Sequence, residues 1–101
     1  MSAYIVVEID IHDPDTYERY KALAPASIAQ YGGRYLVRGG TTRPLEGDWH
    51  PPRFVILEFP DATQAHAWWE SEEYAPAKAL RHLSARTQML LVEGLDAPPE
   101  A

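Results

Sequence analysis

The sequence contains no cysteine, and this absence removes several classes of function. Disulfide bonds, thiol nucleophiles and thiolate metal ligands are all excluded. The redox state of the compartment cannot be inferred either, because a chain without cysteine is compatible with oxidising and with reducing surroundings.

Long apolar segments are missing as well. No run of residues approaches the roughly 20 that a membrane-spanning helix needs. Residues 1–8 lack a basic segment and reach a carboxylate at Glu8, which predicts that they are not a signal peptide. We therefore expect a cytoplasmic protein that does not bind membranes.

Basic residues are few: nine Lys and Arg stand against 15 Asp and Glu, giving a net charge of −6 over 101 residues. Nucleic acids and anionic membrane surfaces attract basic faces, so neither is an expected partner. The four histidines are His12, His50, His66 and His82. None of them shows the spacing of a zinc-binding helix, and we predict neither a bound metal nor a cofactor.

The patterning that is present is typical of one α+β domain over residues 1–95, with a flexible tail at 96–101. Alternating apolar residues predict strands at 4–11, 34–38, 53–59 and 87–93. Capping residues predict one helix after Asp13, kinked or divided at Pro25, and a second after Asp61 that restarts at Ser71. The order βαββαβ predicts a ferredoxin-like fold, with a four-stranded antiparallel sheet and helices on one face.

Several ordered motifs extend over nearly the whole chain: GGRYLVRGG at 32–40, LEG at 45–47, EFP at 58–60, WxxSxxY at 68–74, Arg81, and VEG at 92–94. In combination they resemble the uncharacterised family called domain of unknown function, DUF1330. The resemblance implies a dimeric α+β barrel, in which two such sheets face each other and enclose a pocket. Its superfamily includes cofactor-free monooxygenases, isomerase-like enzymes, haem-binding enzymes and ligand-sensing domains, so the resemblance implies no single reaction.

The phase of the strands predicts which side chains would line that pocket. If Ile5, Val7 and Ile9 pack on the helices, their neighbours Tyr4, Val6 and Glu8 face the partner, and so do Phe54, Ile56 and Glu58. We take the first and third strands as parallel neighbours, which predicts that Glu8 and Glu58 share one rim. Arg34 should then lie beside Glu58, and Arg38 at the opposite rim with Arg53.

The candidate ligand-binding residues are Glu8, Arg34, Arg38, Phe54, Glu58 and Arg81. Two carboxylates near an arginine in a largely apolar cavity can bind a polar small molecule, and a buried carboxylate with a raised pKa can act as a general base. The alternative is an ion-pair network that fixes strand register or dimer geometry. On that alternative, Arg81 pairs with Glu58, Glu70 or Glu73.

Aromatic residues add three expectations. Tyr17, Tyr20 and Tyr31 should belong to the core between helices and sheet. Of Trp68 and Trp69, only one can face the core, because neighbouring side chains on a helix point about 100° apart. Trp49, in the long loop at 41–52, should pack over the partner or over the mouth of the pocket.

Two functions remain open. The first is a homodimer that binds a small molecule between its sheets without an identifiable reaction. The second is a cofactor-independent enzyme, monooxygenase-like or isomerase-like, acting on a small organic acid. A carboxylate that lines a cavity and lacks partners favours the enzyme, whereas full pairing with arginines favours the binding module.

Overall fold

The computed structural model describes residues 1–95, and the tail predicted at 96–101 lies outside the described residues. The elements are β1 (Ala3–Ile11), α1 (Pro14–Gln30), β2 (Arg34–Arg38), β3 (Arg53–Phe59), α2 (Ala62–Glu70), α3 (Ala75–Ser84) and β4 (Ala85–Glu93). The predicted ferredoxin-like order is confirmed, with α2 and α3 together forming its second helical segment.

The sheet has the order β2-β3-β1-β4, and each pair of neighbouring strands is antiparallel. Our expectation that β1 and β3 are parallel is therefore wrong: Tyr4 lies opposite Glu58, and Glu8 lies opposite Phe54. The reason is topological. The crossover through α1 makes β1 and β2 parallel, and β3 fits between them in the opposite direction. Glu8 and Glu58 consequently lie at opposite ends of the sheet and share no rim.

Helix α1 begins at a capped residue and continues through a proline. The Asp13 carboxylate accepts hydrogen bonds from the Thr16 backbone N–H at 3.2 Å and from the Thr16 hydroxyl at 2.7 Å. Pro25 does not divide the helix, contrary to one of our two expectations for it. A proline leaves the carbonyl four residues earlier without its helical donor, and here the Arg38 guanidinium donates to that carbonyl, Lys21 O, at 3.0 Å. Strand β2 thus satisfies the group that the proline frees.

The second helical segment is interrupted where the sequence predicted. Asp61 caps α2 by accepting from Gln64 N–H at 2.8 Å, while the Gln64 side chain donates to Tyr31 O at 3.4 Å and does not return a bond to the cap. Ser71 donates to Trp68 O at 2.8 Å and accepts from Tyr74 N–H at 3.0 Å. One hydroxyl therefore closes α2 and starts the turn that leads into α3.

The core lies between the helices and one face of the sheet. Its strand residues are those expected from the alternation: Ile5, Val7, Ile9, Val55, Leu57 and Phe59. Trp68 is fully buried; its indole N–H donates to the Ser27 hydroxyl at 3.0 Å, and its ring lies 4.0 Å from that of Tyr74, centroid to centroid. Trp69 is 39% exposed, which confirms that only one of the two tryptophans faces the core.

The leucines of helix α3 do not form its buried face. Leu83 is 69% exposed, and the buried positions are Ala77, Arg81 and Ser84. These three have the spacing i, i+4, i+7 of one helical face. The polar groups on that face are hydrogen-bonded internally, as the Ser84 hydroxyl is to Leu80 O at 2.7 Å, and this makes their burial tolerable.

The two adjacent tryptophans provide a matched test of the core. Trp68→Ala removes a fully buried ring, and we expect it to lower the free energy of unfolding by about 3–5 kcal/mol. Trp69→Ala removes a partly exposed ring near the surface, where Lys78 Nζ lies 4.0 Å from the ring centroid and His66 stacks on it, so we expect a smaller loss, of about 1 kcal/mol. Urea unfolding of both variants checks the difference, and equal losses would contradict the placement of Trp68.

Candidate functional site

One face of the sheet is covered by helices, and the opposite face is bare within the described chain. The Cα atoms extend only 16 Å in the thinnest direction, the thickness of one helix layer on one sheet. We call the bare side the free face. By strand register it carries Arg34, Val37, Phe54, Ile56, Glu58, Tyr4, Val6, Glu8, Gln88, Leu90 and Val92.

An aliphatic row crosses the middle of the free face. Val37 on β2 lies opposite Ile56 on β3, which lies opposite Val6 on β1, which lies opposite Leu90 on β4. Leu90 is 66% exposed. The row is therefore a continuous apolar surface across all four strands, and polar groups lie only beyond its two sides.

An ion pair marks one end of the free face. Arg34 Nε donates to Glu58 Oε1 at 2.7 Å, so the expected proximity of these two residues is confirmed. The Glu58 side chain is 19% exposed and that of Arg34 is 71% exposed. The hydrogen bond from Arg34, followed by one from the Ser2 hydroxyl, lowers the pKa of Glu58 below its ordinary value. Glu58 is therefore an ionised, partnered carboxylate and a weak base.

An aromatic contact marks the other end. The Trp49 indole N–H donates to Glu8 Oε2 at 3.3 Å, and its ring meets the Phe54 ring edge-on with centroids 5.7 Å apart. The loop that carries Trp49 forms, with Phe54, an open depression of about 310 Å³. Trp49 thus lies over the rim of the free face, in contact with two of its residues.

The sheet separates the six candidate residues into two groups. Glu8, Phe54, Glu58 and Arg34 are on the free face. Arg38 is not: a bulge between Tyr35 and Val37 shifts the phase of β2, which brings Arg38 opposite the core-facing Val55. Arg38 therefore lies on the helix side together with Arg53, and both line one cavity there. Strand alternation gives no sign of a bulge, so the sequence could not predict this.

Arg81 is also on the helix side, and it is only 4% exposed. Its Nε donates to the Tyr74 hydroxyl at 3.2 Å and its Nη1 contacts the Thr87 hydroxyl.

The expected pairing of Arg81 with a glutamate is wrong. Among the described residues each of the three carboxylates has another partner: Glu58 has Arg34, Glu70 has His66 at 3.2 Å, and Glu73 accepts from Tyr31 at 2.6 Å. Glu70 and Glu73 lie near the surface, whereas Arg81 points into the core.

Sequence reasoning did not select Arg53 as a site residue. Its position in β3, two residues before Val55, places it on the face that packs on the helices. A charged residue at a core-facing position of a strand was the available signal, since such a residue needs a partner inside the protein. The phenols of Tyr17 and Tyr20, treated as core aromatics, lie beside it around the same cavity.

Within residues 1–95 no group of three or more His, Asp or Glu side chains is placed to hold a metal ion. No helix in the same range is long and apolar enough to cross a bilayer.

Comparison with known proteins supports a family and a fold. The family model described as "Domain of unknown function (DUF1330)" matches residues 2–95. No curated protein matches the chain.

Three solved structures illustrate the structural likeness. A protein of unknown function from Rhodopseudomonas palustris superposes with a TM-score of 0.76 at 15% identity, over 95% of this chain and 84% of that one. A dimeric ferredoxin-like protein of unknown function from Jannaschia gives 0.69 at 16% identity, over 93% and 100%. The cofactor-independent oxygenase SnoaB from Streptomyces nogalater gives 0.61 at 16% identity, over 98% of each chain. At these identities the likeness shows the ferredoxin-like fold alone.

The Arg34–Glu58 pair predicts a pH dependence of stability. Because the folded pKa of Glu58 lies below its ordinary value of 4.5, its contribution is present above pH 4.5 and is lost as the pH falls through the folded value. We expect the stability gap between wild type and Glu58→Gln to narrow below pH 4.5. Arg34→Gln should flatten the same part of the profile. Urea unfolding between pH 3 and 7 measures both, and an unchanged profile in Glu58→Gln would contradict the assignment.

Proposed function

Because this chain belongs to the DUF1330 family, whose description names no activity, we propose a function from its own structure: it is a homodimer that binds a small molecule between two facing sheets. Residues 1–95 form the single domain of each subunit in this proposal, and a cytoplasmic location stays a prediction. The observation that carries the proposal is the apolar row of the free face, which no element of the described chain covers.

The exposed apolar residues concentrate where a partner would be needed. Leu90, Leu91 and Val92 are consecutive exposed residues on β4, an edge strand. Long apolar edge strands are aggregation sites unless they are covered. The other edge, β2, is short, bulged and flanked by Arg34 and Arg38, which protects it. A partner that covers β4 and the aliphatic row is therefore required.

A second copy of the chain is the partner that fits. The row is self-complementary, because aliphatic residues cross the whole sheet and a two-fold axis would stack one row on the other. The Jannaschia neighbour with this fold is described as dimeric. Pairing through the sheets also leaves the helix layers outside, so each subunit retains its own core.

The polar ends of the free face determine the kind of ligand. Arg34 is largely exposed and uses Nε for Glu58, so its Nη groups can donate to a further acceptor. Between the two ends lies the aliphatic row, which suits an apolar body. The ligand class supported is a small organic molecule with an apolar part and an acidic or other acceptor group near Arg34.

The carboxylates favour the binding module over the enzyme. Glu58 is ion-paired with a lowered pKa, and Glu8 accepts from the Trp49 indole. Neither is an enclosed carboxylate without a partner, which is what a general base in this cavity would require. SnoaB is described as a cofactor-independent oxygenase, and at 16% identity that description is not transferred to this chain.

Two leucines with almost equal exposure test the dimer. Leu90 on the free face is 66% exposed, and Leu83 on the helix layer is 69% exposed. We expect Leu90→Glu to convert the dimer into a monomer, because a carboxylate would be buried against the partner's aliphatic row. Leu83→Glu should leave it dimeric. Light scattering at micromolar concentration measures both; a monomeric wild type, or a dimeric Leu90→Glu, would refute the sheet-to-sheet interface.

Two exposed arginines test the ligand site. A thermal-shift screen against small organic acids should yield compounds that raise the melting temperature, since they bind the folded state. For such a compound we expect Arg34→Gln to weaken binding by about tenfold or more, the loss of one charge-assisted hydrogen bond. Arg19→Gln, on an exposed position of α1, is the control and should bind normally. Equal binding by both variants would remove Arg34 from the site.

A further inference from the structure

One nitrogen of a half-buried arginine on the helix side of the sheet lacks a partner among the described residues. Arg53 Nε is shielded from solvent and forms no hydrogen bond with any described residue. The guanidinium lies 5.6 Å from the Tyr17 ring centroid and passes beneath Gly39, where a Cβ would overlap it. Buried donors are almost always satisfied, so an unsatisfied one indicates a missing partner.

A narrow, partly open cavity of about 20 Å³ lies beside this arginine. Polar side chains contribute to its lining from three elements: Tyr17 and Tyr20 from α1, Tyr35 and Arg38 from β2, and Arg53 from β3. A space of this size accommodates about one water molecule. The Arg38 guanidinium covers the ring of Tyr35 at 4.6 Å and is itself exposed, so this side chain lines the cavity where it meets solvent.

The three arginines at this cavity have no carboxylate partner among the described residues. Arg38 and Arg53 line it together with Lys21, and Arg81 is linked to it through Tyr74. The ion pairs of residues 1–95 include a carboxylate for Lys21 but none for the three arginines. A guanidinium nitrogen that is shielded from solvent gains most from an anionic acceptor, and a neutral water molecule supplies no opposite charge.

The tyrosines can supply further donors. Burial raises the pKa of Tyr17, Tyr20 and Tyr35, so all three phenols are neutral and carry a proton at physiological pH. Arg81 Nε donates to the Tyr74 oxygen at 3.2 Å, and Tyr74 lies 3.0 Å from the Tyr20 hydroxyl. When Tyr74 donates to Tyr20, the Tyr20 proton is free to point at a group in the cavity.

We propose that each subunit binds the carboxylate group of a small organic acid in this cavity, between α1 and the sheet. Arg53 is the primary cation, Arg38 closes the mouth, and the Tyr17 and Tyr20 hydroxyls donate to the same group. A planar carboxylate suits guanidinium donors and neutralises the local charge. The site is separate from the one between the sheets, because the sheet itself lies between them.

Formate, the smallest carboxylate, is the probe for this site. Melting curves of the wild-type protein in sodium formate and in sodium chloride at equal ionic strength should differ, with a saturable rise in formate alone. We expect Arg53→Gln to weaken the formate response by about tenfold or more. The matched control is Arg19→Gln, which removes an exposed arginine from α1 outside both proposed sites and should respond as wild type does.

Two further variants keep the result decisive. If Arg53→Gln does not fold by circular dichroism, Tyr20→Phe removes one donor while it keeps the ring, and it should weaken the response severalfold. Leu90→Glu should retain the response even as a monomer, which separates this site from the dimer interface. Superimposable curves in formate and chloride would show that the cavity holds water only. An undiminished response in the Arg53 variant, or its loss in Leu90→Glu, would equally overturn the proposal.

Discussion

Within residues 1–95 helices cover only one face of the sheet, and the rest of this structure depends on that constraint. The chain has enough helix for one layer, and that layer lies on the face of Ile5, Val7 and Leu57. The opposite face keeps its aliphatic row in spite of being uncovered, and the β4 edge keeps Leu90 exposed. A small domain buries a modest fraction of its surface alone. The proposed dimer would bury the second face as well.

Strand β2 connects the two sides of the sheet through its bulge. Before the bulge Arg34 faces the free side and pairs with Glu58; after it Arg38 faces the helices and donates to Lys21 O. That carbonyl is available because Pro25 cannot donate to it. A proline in α1 and an irregularity in β2 are thus complementary, and together they tie the edge strand to the helix layer. The proline frees the Lys21 carbonyl, and the bulge turns Arg38 toward it.

The sequence was sufficient for whatever depends on local pattern. Alternation identified the buried faces of β1 and β3, and the capping residues Asp13, Asp61 and Ser71 marked real helix starts or breaks. The sequence did not predict contacts between residues that are distant along the chain. The antiparallel pairing of β1 with β3 is set by topology, and the burial of Arg81 depends on Tyr74 and on β4. For the same reason the six candidate residues were grouped on one side, although the sheet divides them.

The two faces of the sheet differ in how their charged groups are paired, and this difference sets the chemistry of each face. On the free face the carboxylate of Glu58 already has its arginine, and solvent reaches the pair, so the polar groups there can orient a ligand without supplying a strong base. On the helix side Arg81 and the Nε of Arg53 are shielded from solvent, and neither arginine has a carboxylate partner among the described residues. Electrostatic energy per contact is larger where water is excluded. A hydrogen bond to the shielded Arg53 Nε is therefore worth more than one to the exposed Arg34, even though the free face offers the larger apolar area.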